Sequence, residues 1–174
     1  MIELSYITPR TDLGYKGSMI GKYYTFDYHE LIQLDKEHML YISYGTGNLC
    51  TYAVTNAKSK ITLVLSTISH KGYQKINVVE AKKKNTYSAV KLYTYLIKEL
   101  GITLVTDKQS EGGKRIWQTL CKIKGINVFG WDFKTDCPIN TDKNLEDIDD
   151  LYVSQYIKHR HTDIARINLV ATGV

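Results

Sequence analysis

Short apolar stretches typical of strands run through the first half of the chain: Cys50–Asn56 alternates between apolar and polar positions, and Lys60–Ser69 is β-branched and apolar. Turn residues separate these stretches, and we predict strands at Ile2–Ile7, Met39–Tyr44, Cys50–Asn56, Lys60–Ser69 and Ile76–Ala81. A Gly-Asn turn before Cys50 favours a hairpin between the second and third of them. Residues Tyr28–Leu34 instead suit one or two turns of helix, with Asp27 as the N-cap.

The period changes after residue 87. From Ser88 to Leu100 apolar residues recur at helical spacing, and Gly101 is placed to end that helix. After this helix we predict a strand at Ile102–Thr106 and a helix over residues 111–124 that Ser110 caps. A strand at Ile126–Trp131, a helix at Leu145–Ile157 and a closing strand at Ile167–Val174 follow. The strands that flank the first helix should run parallel through a right-handed crossover.

This order of elements predicts an α/β fold. It would be a mixed, mostly antiparallel twisted sheet with one parallel strand pair and flanking helices. The 174 residues are expected to form a single domain, in which 136–174 supply an acidic loop, a helix and a closing strand.

Composition and cysteine spacing indicate where in the cell the protein acts. No apolar run approaches the length of a membrane span, and the first residues lack a secretory signal pattern. The three cysteines are scattered and show no C-x-x-C spacing, which suits reduced thiols. We therefore predict a cytoplasmic protein with no membrane partner.

Charge is unevenly distributed. The chain carries a net charge of +5, yet residues 136–150 hold six acids and one lysine, so the remainder is strongly basic. Its densest basic cluster is Lys82–Lys84. Two interpretations remain open: a site for an anionic partner, such as a phosphorylated cofactor or nucleic acid, or an ordinary lysine-rich surface.

This basic cluster lies in the predicted turn between a strand and a helix, a place at which α/β proteins bind phosphorylated ligands. The turn reads KKKNTYS, and no glycine lies between Gly72 and Gly101. Side chains would then have to supply contacts that glycine-rich loops make with backbone N–H groups. The alternative is a solvated lysine turn capped by Asn85 or Thr86.

The segment from residue 38 to residue 132 resembles the GNAT family of N-acetyltransferases, in the version of the fold encoded by bacteriophages. The resemblance is carried by the strand VVEA, the helix AVKLYTYLIKEL that ends at Gly101, and the run VTDKQSEGGKRIWQTL. It implies a GNAT-like fold and an acyltransferase that uses acetyl-CoA or another acyl-CoA. A phage-encoded protein would act in the host cell cytoplasm.

The resemblance also implies roles for individual residues. Glu80 and Asp107 become candidates for the chemistry. Residues implied to bind the cofactor are Val78, Val79, Lys84, Asn85, Thr86, Ser88 and Ser110. Structural alternatives remain: Glu80 pairs with the adjacent lysines, Asp107 ends a turn, and Ser110 only caps a helix. The general acid is not identified, because the second helix offers Trp117 rather than a tyrosine, and Tyr87 and Tyr93 have no positional support.

No metal site is predicted. His159 and His161 form an H-x-H pair without a visible third ligand, so a basic surface cluster is favoured. Three functions follow: acyl transfer from acyl-CoA to an amine on a macromolecule, non-catalytic binding of a host protein or nucleic acid, or modification of nucleic acid. The sequence does not indicate an oligomeric state.

Overall fold

The computed structural model describes residues 6–7, 26–82, 87–106, 111–132, 135–139 and 167–174. Its helices are α1 (Ala89–Lys98) and α2 (Glu111–Leu120), and a short 3-10 turn occupies Thr46–Asn48. Its strands are β1 (Tyr6–Ile7), β2 (Phe26–Asp27), β3 (Glu30–Gln33), β4 (Met39–Tyr44), β5 (Leu49–Thr55), β6 (Ile61–His70), β7 (Tyr73–Ala81), β8 (Leu104–Val105), β9 (Ile126–Asp132), β10 (Cys137–Ile139) and β11 (Ile167–Gly173).

The strands form two sheets. β1 pairs with β2, and the other nine strands are hydrogen-bonded in the order β10-β9-β11-β8-β7-β6-β5-β4-β3. The chain divides into two compact units, one within Met1–Lys71 and Ile76–Leu92, the other within Gly72–Lys75 and Tyr93–Val174.

In the first unit, cross-strand rows of apolar side chains explain why β4, β5 and β6 pair as they do. Leu40 lies opposite Val54, which lies opposite Leu63, and all three are completely buried. On the opposite face of the sheet Ala53 pairs with Val64, and Tyr41 packs against the cluster that these two residues form. Because β5 and β6 are buried on both faces, their sequences read as continuous apolar runs.

In the second unit, β8 runs parallel to the start of β7 through the pairs Gln74–Leu104 and Lys75–Val105. β11 lies between β8 and β9 and is antiparallel to both. The parallel pairing that the sequence predicted around the first helix is confirmed.

Helix α1 buries the stripe that its sequence predicts, since Leu92, Tyr93, Leu96 and Ile97 are almost fully inaccessible. The helix is followed by Gly101 at φ +64, a left-handed conformation that glycine adopts without strain. The Ile102 N–H then donates to the Leu96 carbonyl at 3.0 Å, which satisfies one of the carbonyl groups at the helix end.

The predicted fold class is wrong. About half of the described residues lie in strands, and nine of these strands form one mixed sheet. The two described α-helices are short, with ten residues each. This is not the α/β arrangement of a GNAT-like fold with flanking helices. β3 and β10, which the sequence did not predict, form the two edge strands of this sheet.

The predicted helix at Tyr28–Leu34 is also wrong. Residues Glu30–Gln33 form β3, whose pairing with β4 places Glu30 opposite Ile42 and Gln33 opposite Met39. Backbone hydrogen bonds to a neighbouring strand outweigh the weak helical signal of a stretch too short to be stable alone. The predicted helix at Leu145–Ile157 lies outside the described residues.

Candidate functional site

Four of the nine residues predicted to form the site lie on one strand–turn–helix segment of the first unit. Val78, Val79 and Glu80 are half-buried near the end of β7, and Ser88 is exposed immediately before α1. Lys84, Asn85, Thr86, Asp107 and Ser110 lie outside the described residues, as do His159 and His161.

The described start of helix α1 carries one positive charge and no negative charge. The Ser88 carbonyl accepts a hydrogen bond from the Leu92 N–H at 3.0 Å, so Ser88 occupies the N-cap position. The first turn contains no acidic residue and does contain Lys91, which is exposed. A cation there opposes the helix dipole, whose positive end favours anions by about 0.3–1 kcal/mol. Lys91 is therefore unfavourably placed with respect to the helix dipole when no anion lies nearby.

The turn between β3 and β4 brings a carboxylate and an imidazole together. The Asp35 Oδ1 atom accepts hydrogen bonds from the backbone N–H groups of Glu37 and His38, at 2.8 and 2.9 Å. The Leu34 N–H donates to the His38 carbonyl at 3.0 Å and closes the turn. An aspartate that binds the backbone two and three residues onward is typical of such turns.

The same carboxylate holds the ring of His38. The His38 Nδ1 atom lies 2.8 Å from Oδ1 and 3.0 Å from Oδ2 of Asp35. The backbone hydrogen bond from Glu37, followed by the side-chain hydrogen bond with His38, holds the pKa of Asp35 below its ordinary value. Asp35 is therefore ionised at neutral pH, and it favours the ring form that carries a proton on Nδ1.

The imidazole also packs against Tyr87, which lies just before the N-cap residue Ser88. The ring centroids of His38 and Tyr87 lie 5.1 Å apart at an angle of 56°. The Lys91 Nζ atom lies over the same tyrosine ring, 6.0 Å from its centroid. The structure thus places His38 and Lys91 around Tyr87, beside Ser88.

Sequence reasoning missed Asp35 and His38. The only available signal was the D-x-x-H spacing in the polar stretch LDKEHML between two apolar segments. That spacing is ordinary for a solvated turn, and nothing in the sequence places it near Tyr87.

The other tyrosine named as a substitute acid does not suit proton transfer. Tyr93 is buried in the second unit, where its ring packs edge-on with that of Trp117 at 6.4 Å. Burial raises the pKa of Tyr93 and disfavours its ionised form. Trp117, 3% exposed, is a core residue, which agrees with the packing role that its position on the helical stripe predicts.

A second polar cluster in the first unit is structural in character. The Tyr44 hydroxyl donates a hydrogen bond to the Glu30 carboxylate, which raises the pKa of Tyr44 to about 12. The backbone N–H of Tyr44 donates to Nδ1 of His29 at 3.1 Å. These contacts connect the start of β3 to the end of β4. Because its pKa is raised, Tyr44 is a poor proton donor.

Among the described residues, no group of three or more histidines, cysteines, aspartates or glutamates could hold a metal ion. Neither helix in that part of the chain is long and apolar enough to cross a membrane. No protein-family model matches the chain, and comparisons with curated proteins and with solved structures give no significant match.

Proposed function

We propose that the protein binds a phosphorylated ligand of the acyl-CoA class at the basic turn between β7 and α1. We further propose that it transfers the acyl group to an amine on a macromolecule. The observation that carries the proposal is the start of α1, where Ser88 is the N-cap residue, Lys91 lies in the first turn and no acid is present there.

Phosphate suits this place for two physical reasons. The positive end of the helix dipole at the start of α1 favours an anion placed before the helix. A phosphate or pyrophosphate also neutralises the lysine that otherwise opposes the helix dipole. Lys84, Asn85 and Thr86 belong to the same turn by sequence and stay predicted contacts.

The acyl group in this proposal rests on the sequence resemblance of residues 38–132 and not on the sheet. In the reaction the amine nitrogen attacks the thioester carbonyl, a C–N bond forms and the C–S bond breaks. A base must take the amine proton, and the departing thiolate must be protonated. Glu80, near the end of β7, is the proposed base, and Asp107 is the other candidate from the sequence.

Calorimetry with acetyl-CoA tests the binding step. S-acetylpantetheine, which has the thioester but no pyrophosphate, serves as the control ligand and should not bind at the turn. The protein should bind acetyl-CoA, and Lys91→Glu should weaken binding by about tenfold, the effect of one charge-assisted contact. Lys58→Glu, a charge reversal at an exposed lysine in another turn of the same unit, should leave affinity unchanged.

Release of free thiol in the presence of polylysine tests the transfer step. Glu80→Gln should abolish amine-dependent release while acetyl-CoA still binds. Absence of heat and of thermal stabilisation at millimolar acetyl-CoA would remove the proposal. If DNA or RNA bound instead, with affinity falling steeply as salt increases, the lysines would serve nucleic-acid phosphates.

A further inference from the structure

We propose that β3 pairs antiparallel with β3 of a second copy of this chain, so that the protein forms a homodimer by edge-to-edge extension of the sheet. Ile32 lies on the two-fold axis of this dimer. The surface belongs to the first unit and takes no part in the proposed acyl transfer, so this inference does not depend on that function.

The pairing of β3 with β4 shows which backbone groups of β3 point outward. β3 is the last strand of the sheet order. Just beyond its end, the Leu34 N–H donates to the His38 carbonyl at 3.0 Å. Because hydrogen-bonded positions alternate along an antiparallel pair, every second residue before Leu34 bonds toward β4. Leu31 and Gln33 lie between those residues, and their N–H and C=O groups therefore point away from the sheet.

This edge is open within the part of the chain that the structure describes. No hydrogen bond there joins the outward backbone groups of Leu31 or Gln33 to another residue. Leu31 is 46% exposed, and Glu30 and Gln33 are exposed as well. Monomeric proteins commonly place lysine or proline on such an edge, and residues 30–34 contain neither. The edge is therefore a template for an additional strand.

Apolar side chains lead to this edge on both faces of the sheet. On each face, cross-strand partners form a row that passes through β6, β5, β4 and β3. The rows are Leu63, Val54, Leu40 and Ile32 on one face, and Val64, Ala53, Tyr41 and Leu31 on the other. The second row begins in the core and ends at the exposed Leu31. A second copy at this edge continues both rows and removes Leu31 from water, which favours association.

The outward groups of β3 are complementary to those of a second β3. When Ile32 faces Ile32 of the second copy, Leu31 faces that copy's Gln33, and Gln33 faces its Leu31. Each of these two pairs exchanges two backbone hydrogen bonds. If Ile32 instead faced Glu30 or Leu34, only one such pair would form. The axis through Ile32 is thus the arrangement that satisfies the outward groups of both strands, which favours a second copy over an unrelated strand.

Charge does not oppose this register. Glu30 is the one charged residue of β3, and it faces Leu34 of the second copy, so like charges do not meet. The two copies of Leu31 lie diagonally across the axis, within reach of each other. Regular pairing begins only at Glu30, because the His29 N–H donates at 2.8 Å to the carbonyl of Ile42, the residue already opposite Glu30. The contact is short, and we expect a dissociation constant of about 10–100 µM.

Sedimentation equilibrium of the full-length protein between about 1 µM and about 1 mM tests the dimer. The average mass should rise from 19.9 kDa toward twice that value. Leu31→Lys places like charges across the axis and should stay monomeric throughout this range. Gln33→Pro removes an outward N–H and leaves the bonds to β4 in place, so it should weaken the dimer by at least about tenfold. The matched control Gln33→Ala keeps the N–H and should dimerise like wild type.

Hydrogen exchange of the wild-type amides gives a test that needs no variant. The amides of Leu31 and Gln33 should exchange rapidly in dilute protein and become protected as the dimer fraction rises. The amide of Ile32 bonds toward β4 and should be protected at every concentration. Circular dichroism shows whether each variant of the sedimentation experiment is folded.

Three results would overturn the proposal. A mass of 19.9 kDa up to about 1 mM would refute the dimer and leave the edge to a strand from a different protein. A dimer that persists in folded Leu31→Lys, or that Gln33→Pro weakens no more than Gln33→Ala, would place the interface elsewhere. Protection of Leu31 and Gln33 that does not vary with concentration would show that another segment of the same chain occupies the edge. Binding of acetyl-CoA is unaffected by any of these results.

Discussion

Replacing Lys91 by glutamate should make the protein more stable while it weakens ligand binding. Lys91 occupies the first turn of α1, where no acid is present. Each charge at such a position contributes about 0.3–1 kcal/mol, so a change from positive to negative is worth about 0.6–2 kcal/mol in favour of the folded state.

One contact opposes this gain. The Lys91 ammonium lies 6.0 Å from the Tyr87 ring centroid, the outer limit of a cation–π contact, and its loss removes about 0.5 kcal/mol at an exposed site. The net expectation is an increase in the free energy of unfolding of up to about 1.5 kcal/mol, or a few degrees in melting temperature.

Urea unfolding followed by circular dichroism, at low salt without ligand, measures the change. Lys91→Gln removes the charge without reversing it and loses the same cation–π contact, so its gain should be no more than about 0.5 kcal/mol. High salt should reduce both gains because the site is exposed. A Lys91→Glu protein that is less stable than wild type, or equally stable at low and high salt, would refute the electrostatic description of this helix start. Higher stability with undiminished acetyl-CoA affinity would refute Lys91 as a ligand contact.

Three further predictions concern the described fold. Leu96→Ala should lower the free energy of unfolding by about 2–5 kcal/mol in urea titrations, because Leu96 is completely buried and truncation leaves a cavity; a loss below 1 kcal/mol would contradict its place in the core. Gly101→Ala should lower it by about 1–2 kcal/mol, since φ is +64 there and no atom lies within 4 Å of an added Cβ, which makes the loss one of backbone conformation alone; an unchanged stability would contradict this. Tyr44→Phe should remove one phenol that ionises near pH 12 in an ultraviolet titration of the tyrosines, and its stabilising contribution, present below the ordinary pKa of 10.0, should disappear as pH rises through 12; a titration curve identical to wild type would contradict the Tyr44–Glu30 hydrogen bond.

The local elements were predictable where periodicity was strong and sustained. The stripe of Leu92, Tyr93, Leu96 and Ile97 identified α1, and the run of β-branched residues identified β6. The parallel pairing of β7 and β8 was predictable because a helix connects them, and parallel neighbours are usually joined by such a crossover. These are short-range signals, and each is carried by neighbouring residues.

Fold class and the histidine contact depend on contacts between distant residues. Glu30–Gln33 is too short to be assigned by its own pattern, and its pairing with Met39–Ile42 decides its conformation. The contact between His38 and Tyr87 joins a turn to a helix start that are far apart in sequence. Periodicity contains no information about such a contact, so Asp35 and His38 were not identified as site residues.

The central claim is that the start of α1 binds the pyrophosphate of an acyl-CoA. The most direct measurement is a nitrogen–proton correlation spectrum of the full-length protein during titration with dephospho-coenzyme A. The largest shift changes should fall on the amides of Ala89 and Lys91, and S-acetylpantetheine should leave these signals in place. Saturating shifts at other amides, with those of Ala89 and Lys91 unmoved, would contradict it.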